Sequence, residues 1–229
     1  MTGLLERIDR LNEIGIALSA EKDTQRLLEI IMMGAKSLTQ ADGGSLYFLK
    51  QDQLTFEIIS NDTLGIQMGG SSGNAIPFPP ISLLKDDKEN HDNVVFHCVL
   101  SGTTINIENA YDESSFDFTG SKMFDKETGY RTQSMLTLPL KDHDAEIIGI
   151  LQLINARYSE TQEIVTFNPI EQQLAESLAS QAAVALTQRR LISELQVLFE
   201  SFIKMIANAI DDKSPYTGGH CRRIPVLTM

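Results

Sequence analysis

The sequence predicts an α+β protein in which antiparallel hairpins are framed by helices, and three observations predict it. Residues 134–140 and 147–154 are two apolar runs separated by a polar turn at 141–146, the pattern of two paired strands. Residues 45–49 and 54–59 repeat that design with β-branched and alternating residues around the polar stretch 50–53. Both ends of the chain instead carry apolar residues at helical spacing.

Taken in order, Leu4, Ile8, Leu11 and Leu18 make residues 3–20 a narrow-striped helix suited to pairing with another helix. Asp23 or Thr24 can cap a second helix with Leu27, Ile31, Ala35 and Leu38 on its apolar face, and Asp42-Gly43-Gly44 is expected to end it. The first hairpin follows. Residues 61–93 turn irregular, with GGSSG at 69–73, Pro77, Pro79 and Pro80, and a charged run at 85–93; one short strand is expected within 76–84. Residues 94–100 read as a short helix stopped by Ser101-Gly102, and 104–107 as a strand.

Residues 106–129 hold Tyr111, Phe116, Phe118 and Phe124 among Asp, Glu, Ser and Gly. The mixture is too irregular for one amphipathic helix and too aromatic for a solvated linker, so it reads as a ligand lid attached to the second hairpin. From Pro169 no Pro or Gly intervenes until Pro215, which predicts one long helix. Ala185, Gln188, Ile192, Leu195, Phe199, Phe202 and Ile206 step by three and four, a heptad seam. About 40 helical residues reach roughly 60 Å, so the far end is expected to meet another chain or domain, most simply in a homodimer.

Composition bounds the function. At 229 residues with 42% hydrophobic and 22% charged residues the chain can bury a substantial core, and its formal charge of -12 opposes general attraction to nucleic acid. Cys98 and Cys221 lie far apart with no C-x-x-C, which supports neither a thiolate zinc cage nor a disulfide scaffold and fits a reducing cytoplasm. No apolar run reaches bilayer length, so no membrane partner is expected.

The strings NIENAY, ESSF, TGYRTQSMLTLPL and IIGILQLIN, within residues 21–187, resemble the GAF domains of cyclic-nucleotide phosphodiesterases. The resemblance implies a GAF fold: a six-stranded antiparallel sheet with helices on both faces, holding a small ligand under the mobile segment before the second hairpin. It implies a regulatory sensor with no catalytic residues of its own. A cyclic nucleotide would then meet Ser45 at its base, the amides of Val94 and Val95 at its phosphate, and Tyr111, Phe116 and Thr132 in the lid. Val94, Val95 and Phe116 fit an ordinary core equally well. The chain departs from the family's dispersed Asn-Lys, Phe, Asp-Glu motif: Asn155 and Phe167 are present, Ala156 replaces the lysine, and Glu171-Gln172 stands for the acidic pair.

Residues 201–224, SFIKMIANAIDDKSPYTGGHCRRI, resemble the opening of an HD-GYP domain, a metal-dependent phosphohydrolase that typically cleaves cyclic di-GMP. His220 matches that family's first metal-ligand histidine, with Tyr216 where trinuclear members carry glutamate, and the His-Asp pair that should follow is not in the sequence. Iron or manganese would belong to the complete parent, and this chain is expected to hold no metal. His91-Asp92 and His143-Asp144 precede the segment, in the wrong order for that motif, and read as solvated turn residues. The expected organisation is a dimerisation helix at 1–20, a GAF sensor at 21–187, a signalling helix at 188–212 and the start of an HD-GYP domain at 213–229. The rival reading is a ligand-free GAF scaffold that serves for homodimerisation and signal transmission.

Overall fold

A computed structural model of the chain describes residues 2–85, 88–89, 92–158 and 160–213. In order these form α1 (Thr2–Ala20), α2 (Thr24–Thr39), β1 (Ala41–Lys50), β2 (Gln53–Asn61), β3 (Ile66–Gly69), a 3-10 turn (Gly70–Ser72), β4 (Ile81–Ser82), β5 (Leu84–Lys85) and β6 (Lys88–Glu89). Then come α3 (Val94–Ser101), β7 (Ile105–Ile107), α4 (Thr119–Thr128), β8 (Met135–Lys141), β9 (Ile147–Arg157), β10 (Ile164–Val165) and α5 (Pro169–Lys213).

The main sheet is antiparallel and has eight strands where the sequence reading expected six. Its continuous path, β3-β2-β1-β9-β8-β7, does have six; the additional two are the two-residue strands β4 and β10, which pair with β2 and β9. Such short strands carry no alternation pattern that a sequence could reveal. Strand alternation sends Leu46, Leu136, Leu138, Leu151 and Leu153 to one face, where they pack with Leu27, Leu28 and Ile31 of α2 and with Leu174, Leu178 and Leu186 of α5. On α5, Ala175, Ala179, Ala182 and Ala183 are buried in the same core, small enough to let the helix approach closely. The opposite face is covered by α3, whose Val95, Phe96 and Cys98 pack on Tyr47 and Ile150.

Local chemistry sets the element ends. Asp23 caps α2 by accepting from Arg26 N, and Asn93 caps α3 by accepting from Val95 N and Phe96 N. The helix α2 stops earlier than expected, with Gln40 in the left-handed conformation at φ 55, and Asp42, Gly43 and Gly44 lie inside β1. The reason is packing: a Cβ on Gly44 would sit 2.7 Å from Gln152 O and 3.1 Å from Met32 Sδ, so the glycine lets α2 close onto the sheet. GGSSG forms the 3-10 turn, and Glu29 of α2 accepts from both Ser71 N at 2.8 Å and Ser71 Oγ at 2.7 Å.

The chain divides into two compact units, one through Thr187 and one from Gln188 onward. The helix α1 belongs to the first, since Ile14 and Leu18 are buried in its main core, whereas Leu4 and Ile8 stay exposed. In the second unit the described residues are helical, and Leu191, Leu195, Leu198, Phe199 and Phe202 are each about half to two-thirds exposed. Among the described residues no helix is long and apolar enough to cross a membrane. His91, Tyr216, His220 and Cys221 lie outside the described residues, as does all of the expected segment 213–229 except Lys213, the last residue of α5.

Candidate functional site

The face of the sheet beneath α3 carries a polar row across three central strands. Ser45 of β1 pairs with Gln152 of β9, which pairs with Thr137 of β8. Their side chains share this face because the leucines that alternate with them point to the other. The Gln152 amide is held at both ends: Oε1 accepts from Tyr47 Oη at 3.4 Å, and Nε2 donates to Thr137 Oγ1 and Met135 Sδ, each at 3.2 Å. On one side of the row lies the apolar group of Tyr47, Phe96, Cys98 and Ile150, and on the other that of Val94, Ile107, Phe118 and Met135. The row is packed between the two apolar clusters, with Thr137 fully buried.

The lid segment is fixed over this region by specific bonds. Ala110 N donates to Gln133 O at 2.8 Å, and Asp117 N to Asp92 O at 2.6 Å. Asp125, 3% exposed on α4, accepts from Tyr111 Oη at 2.8 Å, Thr132 N at 2.7 Å and Thr132 Oγ1 at 2.9 Å. The Arg131 guanidinium stacks 4.2 Å from the Tyr111 ring centroid. The bond to Asp125 raises the Tyr111 phenol above its ordinary pKa, because a neighbouring carboxylate disfavours the phenolate.

The six predicted residues are placed as follows. Ser45 is half-buried in the row. Tyr111 and Thr132 meet at Asp125. Phe116 is half-buried, edge-on to His97 at 5.3 Å and to Phe118 at 6.4 Å. The side chains of Val94 and Val95 are 4% and 6% exposed and belong to the apolar clusters, and Val95 N donates to Asn93 Oδ1 at 2.9 Å. A phosphate arriving at α3 would have to take that donor from Asn93. Gln152, Thr137 and Asp125 were not singled out from the sequence.

Around the departures from the family motif, other contacts stand in. Glu171 is paired with Arg7 of α1 at 3.2 Å and accepts from Asn168 N. Asn106, within NIENAY, donates to Phe167 O at 3.0 Å and Gln172 Oε1 at 3.1 Å, joining β7 to the start of α5. Asn155 is fully buried and left-handed at φ 55; it accepts from Gln133 N and donates to Tyr130 Oη and Arg131 O. Tyr130 in turn donates to Asp42 at 2.6 Å, and its burial beside that carboxylate raises its pKa.

The remaining candidates are in structural use. Cys98 is buried, and desolvation pushes its thiol up to about 12, which suppresses the reactive thiolate. Asp142, His143 and Asp144 place possible metal-ligand atoms within 4.8 Å of one another. In that exposed turn, however, Asp142 Oδ1 already accepts from Asp144 N and Glu146 N. A solvent-open cavity of about 640 Å³ lies elsewhere, by Lys36 and Arg157, and includes none of the six predicted residues.

Comparison with known proteins agrees with this architecture. The chain is similar to the dual 3',5'-cyclic-AMP and -GMP phosphodiesterase 11 of Drosophila melanogaster, 30% identical over 101 residues, 44% of this chain and 6% of that protein. It is 46% identical over 62 residues to phosphodiesterase 11A of Takifugu rubripes, 27% of this chain and again 6% of the relative. The matched segment is thus a small part of each relative. Among solved structures it resembles the GAF domain of a phosphoenolpyruvate-protein phosphotransferase from Coxiella burnetii, with TM-score 0.61, 14% identity, and coverage of 83% of this chain and 98% of that one. The model of the GAF domain family matches residues 23–186, and the chain belongs to that family.

Proposed function

We propose that the chain is the sensory part of a longer signalling protein and takes up a cyclic nucleotide between the sheet and the 106–130 lid. The observation that carries this reading is the polar row Ser45, Gln152 and Thr137, set between two apolar clusters beneath a lid latched at Asp125. Similarity to cyclic-nucleotide phosphodiesterases supports the ligand class. The mechanism is a population shift: ligand favours the closed lid, and the Asn106 bonds to Phe167 and Gln172 carry the change to the base of α5. The tail's resemblance to an HD-GYP opening supports a cyclic di-GMP phosphodiesterase as the output, with its divalent metal ions held outside this chain. The exposed apolar residues of α5 and α1 support a homodimer, and the free thiol of Cys98 fits a reducing cytoplasm.

The rival, a ligand-free scaffold that dimerises and transmits, draws on the Asn93 cap already occupying the Val95 amide. A thermal-shift panel of cyclic AMP, cyclic GMP and other purine nucleotides separates the two. The sensor reading expects one nucleotide to raise the melting temperature and Phe116→Ala to abolish that rise in a protein that remains folded. No shift with any nucleotide favours the scaffold.

A further inference from the structure

The solvent-open cavity of about 640 Å³ lies at the C-terminal end of α2 and the end of β9, and no part of the lid contributes to it. Its walls hold two cations and two carboxylates: Lys36, Arg157, Asp42 and Asp62. The four are unequal. Lys36 and Asp42 have side chains only 5% and 4% exposed, whereas Asp62 is 70% exposed.

Asp42 is fully committed, accepting from Arg157 Nη2 at 3.0 Å, Thr63 Oγ1 at 2.8 Å and Tyr130 Oη at 2.6 Å. Asp62, by contrast, reaches in from solvent to bond Lys36 Nζ at 2.5 Å. Asp62 is exposed but its partner ammonium is not, so the pair opens toward an acceptor that replaces the carboxylate on Lys36. With Asp62 turned outward, Lys36 keeps only the Ser60 hydroxyl at 3.0 Å while Arg157 stays paired with Asp42, leaving a single positive charge. One donor also lacks an acceptor: the Arg157 Nε is buried and has no hydrogen-bond partner among the described residues. A buried charged donor left unsatisfied costs about 1–3 kcal/mol or more, so it favours an incoming acceptor.

We infer that this cavity is a second ligand site, for a small monocarboxylate whose oxygens replace Asp62 on Lys36 and satisfy Arg157 Nε. The volume is in the range that small-molecule sites occupy. The site is independent of the nucleotide reading, since it lies outside the lid. It nevertheless touches the same framework: the guanidinium that would bind the carboxylate holds Asp42, which holds Tyr130, directly after the lid helix and its Gly129 cap.

The test observes the Arg157 Nε–H directly in nitrogen-15 NMR of the full chain, assigned by its loss in Arg157→Lys, during titration with acetate at constant ionic strength against chloride. The Nε–H resonance is expected to move downfield and saturate in the millimolar range with acetate, and not with chloride. Asp62→Asn, which keeps the side chain's size and a neutral carbonyl acceptor for Lys36, is expected to tighten acetate binding at least about threefold by removing the competing charge. Lys36→Gln should weaken it about tenfold; if that variant fails to fold, Asp62→Asn decides alone. An unmoved or non-saturating Nε–H, an equal response to chloride, or an affinity unchanged in Asp62→Asn overturns the proposal.

Discussion

The Tyr111 hydroxyl donates to Asp125 at 2.8 Å, and through this one bond the loop entering the lid is fastened to the lid helix. Asp125 also receives both donors of Thr132, so a single buried carboxylate joins the start, the middle and the end of the segment. Hydrogen bonds to a charged acceptor contribute about 1.5–3 kcal/mol each, and removing the acceptor leaves its donors unsatisfied. Asp125→Ala is therefore expected to destabilise the fold by about 4 kcal/mol or more, against about 1.5 for Tyr111→Phe. The chain has no tryptophan, so urea unfolding followed by circular dichroism is the suitable measurement. Equal losses in the two variants would mean that the Thr132 bonds contribute nothing.

Asn155 combines three hydrogen bonds with a left-handed backbone at φ 55. Alanine loses all three and adds the steric cost of that conformation, roughly 1–2 kcal/mol; glycine loses the bonds alone. Both variants should be destabilised, with Asn155→Gly the milder by about 1 kcal/mol in the same urea experiment. The reverse order would show that the backbone conformation is not what asparagine supplies.

Burial raises the Tyr47 and Tyr130 phenols above their ordinary value of 10, Tyr130 with added help from Asp42. A pKa raised on folding means that the neutral phenol is favoured in the native state. The stability it contributes is complete below pH 10 and falls as pH climbs above 10 toward the native value. Unfolding free energy measured from pH 8 to 11.5 should decline across the upper part of that range, and Tyr130→Phe should decline less steeply. A wild-type curve that stays flat to the alkaline limit would contradict the assignment.

The hairpins were legible because alternation marks a strand with one face in a core, and α2 because its cap and apolar stripe agree. What escaped notice had a common cause. Gln152 and Thr137 sit inside apolar runs, where one polar residue reads as an interruption and only pairing reveals that the interruptions line up across strands. The helix α4 carries no apolar stripe, since its one fully buried side chain is Asp125, so hydrophobic periodicity had nothing to detect. Of the stripe Leu4, Ile8, Leu11 and Leu18, Leu18 is buried while Leu4 and Ile8 stay exposed, and Ile14, which falls outside the stripe, is buried against Gly34 of α2. The absence of a Cβ at Gly34 creates that seat, and it is invisible until the helices are placed.

The half to two-thirds exposure of Leu195, Phe199 and Phe202 predicts self-association. Each such side chain contributes about 1.5–3 kcal/mol when fully buried. Light scattering at micromolar concentration should give twice the chain mass, and Phe199→Asp should move the value toward the monomer. A monomeric wild type at high concentration would remove dimerisation from the account.

The most direct test of the sensor claim is calorimetric titration of cyclic AMP and cyclic GMP into the wild type and into Gln152→Leu, which keeps the size of the side chain but removes both ends of the amide. The account predicts saturable binding of at least one nucleotide by the wild type and a loss of about tenfold or more in the variant, since an unmatched polar contact costs about 1–3 kcal/mol. Binding that is absent in the wild type, or equally tight in Gln152→Leu, would contradict the placement of a nucleotide on the Ser45, Gln152 and Thr137 row.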